Sequence, residues 1–202
     1  NTLGSAGQAV KVNTGGTGLE FGAAGGLVKL ASTTIASGSD ATEGFVFASV
    51  FTSTYTNYKS YYNIREKAST ANAGNGGLLF RFGSGGSVGT TGSTTINHTS
   101  NYIRADNSTN SVVYGDGYDI GTLCQNMDTN EDAYVNGFCE VLNPQVSTDP
   151  MTVMGQTIMH GSGNSNYFHH SINIATANTS YDTISFMLGV GGGGGGGTLN
   201  HT

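Results

Sequence analysis

Few residues in this chain could do chemistry, and their spacing argues against an assembled catalytic centre. Asp128-Thr129-Asn130-Glu131-Asp132 puts oxygen ligands at alternate positions, as the opening of a calcium loop does. The sixth position is Ala133 where glycine is needed, and the twelfth is Cys139 where glutamate is needed, so the stretch reads as a solvated acidic turn. Asp116-Gly117-Tyr118-Asp119 reads as a hairpin turn. Gly85-Gly86-Ser87-Val88-Gly89 matches the frame of a hydrolase nucleophile, which requires a helix after the serine. Thr90-Thr91-Gly92-Ser93 does not start one, and a glycine-rich loop is predicted instead. No acidic pair has acid and base spacing.

The histidines are His98, His160, His169, His170 and His201. Adjacent residues of a strand point to opposite faces, so His169 and His170 cannot share a metal. His170 is predicted on the apolar, buried face of its strand and His169 on the wet one. Cys124 and Cys139 lack C-x-x-C spacing, and are expected as buried thiols on strands brought together by a hairpin. Sequons at Asn97, Asn107, Asn178 and Asn200 are expected by chance in a chain so rich in Asn and Thr. Ten tyrosines and no tryptophan leave tyrosine as the main surface aromatic, suited to sugars and to subunit contacts alike. Tyr114, Tyr118 and Tyr167, together with His169, are the candidate binding residues. No catalytic residue, metal ligand or cofactor is assigned.

The elements that must position these residues follow from composition. Of 202 residues, 33 are Gly, 20 Ser, 26 Thr and 19 Asn, while only 36% are hydrophobic and 10% charged. Scarce Glu, Lys and Leu exclude a helical bundle, two prolines exclude collagen, and dense aromatic and β-branched runs exclude wholesale disorder. The formal charge of −6 gathers no basic patch for a phosphate backbone, so no nucleic-acid partner is expected. Gly, Asn, Ser, Gln and His interrupt every uncharged stretch, so no membrane insertion is expected.

Period-two alternation between turn clusters predicts strands. Over Tyr167 to Ile174 the face predicted to be buried is Phe168, His170, Ile172 and Ile174. Over Thr183 to Val190 it is Ile184, Phe186, Leu188 and Val190, with Thr183, Ser185, Met187 and Gly189 wet. Further strands are expected at Leu27 to Ile35, Tyr58 to Glu66, Leu78 to Phe82, Thr95 to Arg104, Tyr118 to Cys124, Tyr134 to Leu142 and Thr152 to His160. Phe45 to Phe51 is apolar on both faces, and is predicted as a central strand or one held between the core and a partner subunit. No helix is supported, and Gly191 to Gly197 has no conformation of its own. The expected fold is all-β: a two-sheet antiparallel sandwich, jelly-roll-like, over 27–202, preceded by an extended segment over 1–26. In that segment Leu3 to Asn13 and Thr14 to Gly22 give two extended pieces around a glycine turn, too poor in apolar residues to form a core.

Ala6-Gly7-Gln8-Ala9-Val10-Lys11-Val12-Asn13 and Gly16-Thr17-Gly18-Leu19-Glu20-Phe21-Gly22 resemble an element that tailed-bacteriophage fibre and appendage proteins carry ahead of a β-rich domain, of the form Gly-Gln-x-Leu-x-Val-Asn then Thr-x-Leu-Glu-Phe. Tyr58-Lys59-Ser60-Tyr61-Tyr62-Asn63-Ile64, Leu78-Leu79-Phe80-Arg81-Phe82 and Ile184-Ser185-Phe186-Met187 are similar to strands of their sandwich heads. Where such heads close with a Gly-Thr-Ile-x-x-Tyr-Gly strand, this sequence has Thr198-Leu199-Asn200-His201-Thr202. The resemblance implies a non-enzymatic, homotrimeric virion component, assembled in the host cytoplasm and exposed on the particle. Its first segment would contact other virion proteins and its head a host surface glycan or protein. A capsid decoration or cement protein and a secreted carbohydrate-binding adhesive module are the alternatives.

Overall fold

The computed structural model describes residues 8–13, 15–23, 27–34, 45–65, 75–88, 96–105, 110–118, 120–128, 134–161, 165–176 and 179–190. The chain divides into two compact units, Asn1–Ser32 and Thr33–Thr202.

In the first unit β1 (Gln8–Val12) and β2 (Leu19–Ala23) form an antiparallel hairpin, the two extended pieces expected from the sequence. Asn13 closes the turn. Its backbone N–H donates to Gly18 O at 2.9 Å and its Oδ1 accepts from Thr17 N at 2.9 Å, while Gly16 supplies the left-handed residue at φ 67°. The pairs Val10–Phe21 and Val12–Leu19 put four apolar residues on one face of a two-stranded ribbon.

The second unit is all-β, two antiparallel sheets packed face to face. The first sheet runs β3 (Phe45–Phe47), β13 (Thr183–Val190), β5 (Asn75–Ser84), β9 (Gly121–Asp128), with the short β6 (Ser87–Val88) folded back on the end of β5. The second runs β4 (Asn57–Arg65), β10 (Tyr134–Leu142), β11 (Thr152–Gly161), β12 (Ser165–Ala175), β7 (Ile96–Arg104), β8 (Asn110–Tyr118). A single pair, Gly161 with Met127, joins β11 to β9 and links the sheets at one corner.

The core lies between Leu78, Phe80, Phe82, Ile184 and Phe186 of the first sheet and Val135, Cys139, Val141, Val153 and Met159 of the second. Phe51, Met151 and Tyr181 belong to the same cluster. Phe80 meets Phe82 edge to face at 5.3 Å, and Tyr62 reaches across from β4 to Phe186 at 6.3 Å. Gly155 lets the sheets approach: a Cβ there would lie 2.8 Å from both Leu123 Cδ2 and Ser171 Oγ.

Gly85 and Gly86, both at positive φ (66° and 76°), make the two-residue turn from β5 to β6, which accounts for the Gly-x-Ser-x-Gly match as a hairpin. Asp182 fastens that turn. Its Oδ2 accepts from Gly85 N at 2.8 Å and its Oδ1 from Gly86 N at 3.3 Å and from Thr183 Oγ1 at 2.6 Å. These donors, Thr183 first, hold the carboxyl below its ordinary range.

Several expectations are corrected. Among the described residues 27–34 pair with no strand, and Leu27, Val28 and Leu30 are exposed; Ile35 lies outside the described residues. The strand at Phe45 ends at Phe47 and is an edge strand with Val46 outward, not a central one. Ser49 at φ 52° turns the chain, and Phe51 N then bonds Asp182 O at 2.9 Å. Tyr118 to Cys124 is two strands, since the chain leaves the second sheet after Tyr118 and enters the first at Gly121. Asp116 and Gly117 continue β8 as a bulge, the two of them facing the single Asn97 between the pairs Gly115–His98 and Tyr118–Ile96. Thr183, Ser185 and Met187, predicted wet, are buried like Ile184 and Phe186 on the opposite face of β13. Glu66, Asp119, 129–133 and Gly191 to Gly197 lie outside the described residues.

Candidate functional site

Strand β12 sits in the middle of the second sheet, and its two faces are reversed from what its alternation suggests. Phe168, His170, Ile172 and Ile174 point away from the core and are exposed, whereas His169, Ser171 and Asn173 are buried. The deciding contact is polar. Asn173 Oδ1 accepts from Thr122 N at 2.9 Å and its Nδ2 donates to Thr122 O at 3.1 Å, so the side-chain amide pairs with β9 backbone as another strand would. That clamp fixes which face of β12 looks inward, and the period of two turns every neighbour accordingly.

The inward layer is small and polar. His169 stands between Thr157 of β11 and Tyr102 of β7, and Ser171 between Gly155 and Ser100. Tyr102 lies 5.2 Å and Tyr167 6.2 Å from the His169 ring, and the two tyrosines meet edge to face at 5.9 Å. Thr157 Oγ1 is 2.6 Å from Tyr62 OH. Among the described residues neither ring nitrogen of His169 has a hydrogen-bond partner, and burial lowers its pKa to about 4, so it is neutral at pH 7. Burial likewise pushes the thiols of Cys124 and Cys139 up to about 12, which makes them inert. Both are free and buried, as expected, but β9 and β10 belong to different sheets, so the expected hairpin pairing is corrected.

In the outward layer two rows rich in apolar residues flank a polar row of Gln156, His170 and Asn101. Across β11, β12 and β7 the register sets Ile158 beside Phe168 and Phe168 beside Ile103, then Met154 beside Ile172 and Ile172 beside Thr99. At one end the rings of Tyr134 and His160 stack at 5.4 Å and 6°. Tyr134 OH donates to Asn166 Oδ1 at 3.2 Å, and His160 Nδ1 lies 3.1 Å from the same oxygen. Toward β4, Lys59 Nζ bonds Glu140 Oε1 at 2.9 Å and lies 3.9 Å from the centre of the Phe138 ring. Such a face can bury area and align its amide and hydroxyl groups against another surface.

Of the predicted binding residues, Tyr167 and His169 come together, but facing the interior. His169 is 0% exposed, which corrects its assignment to the surface, and His170 is the exposed member of the pair. Tyr114 and Tyr118 lie on β8, paired with Thr99 and Ile96 and two strands away from β12. Sequence reasoning missed the outward Ile103, Val112, Ile158, Phe168, Ile172 and Ile174. The signal was the polar half of β12, where Ser171 and Asn173 can bond a crossing backbone and large aliphatics cannot. Among the described residues no group of three or more His, Cys, Asp or Glu is placed to hold a metal ion.

In comparisons with known proteins, no family model, no curated protein and no solved structure matches the chain.

Proposed function

We propose that the chain is a structural virion protein: a subunit of a homotrimeric tailed-phage fibre or spike whose sandwich contacts the host cell surface. The observation that carries this reading is the first unit. Val10, Val12, Leu19 and Phe21 share one face of the hairpin and are between 48% and 74% exposed. A two-stranded ribbon is marginal in water, and burying those four side chains against a neighbour supplies what it lacks. The residues forming that hairpin are the ones that resemble the appendage proteins' leading element, which supports attachment to other virion proteins at this end. The sandwich offers the second half of the role, an exposed surface for contact with the host.

Sedimentation equilibrium on the full chain tests the assembly, with a concentration-independent trimer expected and a monomer overturning it. Immunogold labelling of particles tests the location. Label on tail appendages is expected, and label spread over the capsid favours a decoration subunit.

A further inference from the structure

We infer that the outward face of β11, β12 and β7 is the surface through which copies of this chain meet one another. The inference rests on the homo-oligomeric reading above and deepens it by naming the face.

Four observations converge. First, Ile103, Ile158, Phe168, Ile172 and Ile174 are each 40–53% exposed, and Val112 on the adjoining β8 is 59% exposed. Second, β12 is hydrogen-bonded on both sides, so these side chains stand in mid-sheet. The Asn173 clamp on Thr122 prevents the strand from turning them inward. Third, the outward positions of 152–160, 166–174 and 97–103 include no Asp, Glu, Lys or Arg. The chain carries a formal charge of −6, so two copies repel over most of their surfaces, and an uncharged face is where they can approach. Beside the face Lys59 and Glu140 are paired with each other on β4 and β10. Fourth, those six residues expose on the order of 500 Å² of largely apolar surface, near the top of what monomers ordinarily show. With the Asn, Thr and Gln between them the face approaches the roughly 800 Å² per partner of a stable interface. A face without Asp, Glu, Lys or Arg favours a second copy over a charged polymer, and its spread over three strands suits a protein surface better than a small ligand, which needs concavity.

Sedimentation equilibrium of the full chain at micromolar concentration tests this with three proteins: wild type, the double variant Phe168→Thr/Ile172→Thr, and the control Val46→Thr. Threonine keeps strand propensity, and Val46 is an exposed apolar residue of the other sheet. The expected result is a trimer for wild type and control, and at least tenfold weaker association for the double variant with an unchanged far-UV spectrum. A double variant as trimeric as wild type overturns this face and leaves the homo-oligomeric reading standing. A monomeric wild type overturns both, and binding of that monomer to phosphatidylcholine vesicles would reassign the face to lipid. Should the double variant not fold, a benzophenone photo-crosslinker at position 168 of the otherwise unaltered chain gives the same decision. Crosslinks to 97–104 or 152–161 of a second copy support the proposal. Their absence from a chain that is trimeric refutes it.

Discussion

In the first sheet, β5 and β13 send Leu78, Phe80, Phe82, Ile184 and Phe186 into the core, whereas at the same depth β12 and β7 of the second sheet present His169, Ser171, Asn173 and Ser100. The first sheet is held by interlocking rings and buries both faces of its central strands. In the second, β10 and β11 send Val135, Val141, Val153 and Met159 into the core, while β12 turns a polar layer inward and leaves Phe168, Ile172 and Ile174 outside. Apolar burial is non-directional and stabilises in proportion to area, while a buried polar group contributes only when its partner is in place. Residue for residue, the rings of β5 and β13 therefore stabilise the sandwich more than the polar layer of β12, whose Asn173 clamp fixes the strand's facing and leaves an apolar surface outward.

The largest expected effect tests that division of labour. Phe80→Ala removes a fully buried ring that packs on Phe82, and should cost about 3–5 kcal/mol in urea denaturation, enough to unfold a marginal domain. Phe168→Ala on the outward face should leave the denaturation of dissociated chains within about 0.5 kcal/mol of wild type. Equal losses at the two positions would erase the contrast.

Next in size is the pH response of the polar layer. His169 is buried neutral with its pKa lowered to about 4, so between its ordinary 6.5 and 4 the unfolded chain binds a proton that the folded chain does not. Stability contributed at this site is intact above pH 6.5, declines as pH falls through that window, and is constant below 4. The total loss is roughly 3 kcal/mol. His169→Gln should flatten the profile between pH 6.5 and 4. An unchanged slope would show that His169 is solvated in the folded protein.

The contrast between the sheets also explains what could be read from residues alone. The all-β class and most strands were legible, because alternation and turn clusters are local: Tyr134 to Leu142 is found with the bounds expected and Thr152 to His160 within one residue. By contrast, among the described residues 27–34 pair with no strand, and β8 ahead of Tyr118 was not expected. Which face is buried was not legible in β12. Hydropathy put Phe168, Ile172 and Ile174 inside, and only the crossing of β9, 51 residues away in sequence, makes Asn173 the inward residue. The same nonlocality hid the end of the strand at Phe47 and the passage of β8 into β9 between sheets. Of the candidate binding residues, Tyr167 and His169 lie near each other and face the interior. A tyrosine's ring and hydroxyl fit a core contact as well as a sugar, and only the strand's facing tells them apart.

Asp182 offers a smaller effect that belongs wholly to the first sheet. Its carboxylate accepts from Thr183, Gly85 and Gly86, and Asp182→Ala leaves two turn N–H groups to water, which should cost roughly 1–2 kcal/mol after allowance for solvent at the turn. Because the folded pKa is depressed, this contribution is present above the ordinary carboxyl range and lost only as pH falls through the lower folded value. The acid response of the first sheet thus lies below the window of His169, and a profile of wild type and both variants should show two separate declines.

Lys59 should show the least. Its ammonium bonds Glu140, which raises its pKa, and lies over the Phe138 ring, yet the pair is open to solvent and screened by salt. Lys59→Met keeps the alkyl packing and removes the charge, so the denaturation midpoint should move less than in Asp182→Ala, and the difference should vanish in 1 M salt. If copies meet on the adjoining apolar face, the same variant acts differently on assembly. It leaves Glu140 unpaired at the rim of every copy and adds negative charge where chains approach, so association should weaken at low salt and recover at high salt. A variant that loses stability and association together, independently of salt, would place β4 and β10 with the rigid first sheet rather than at the margin of a docking face.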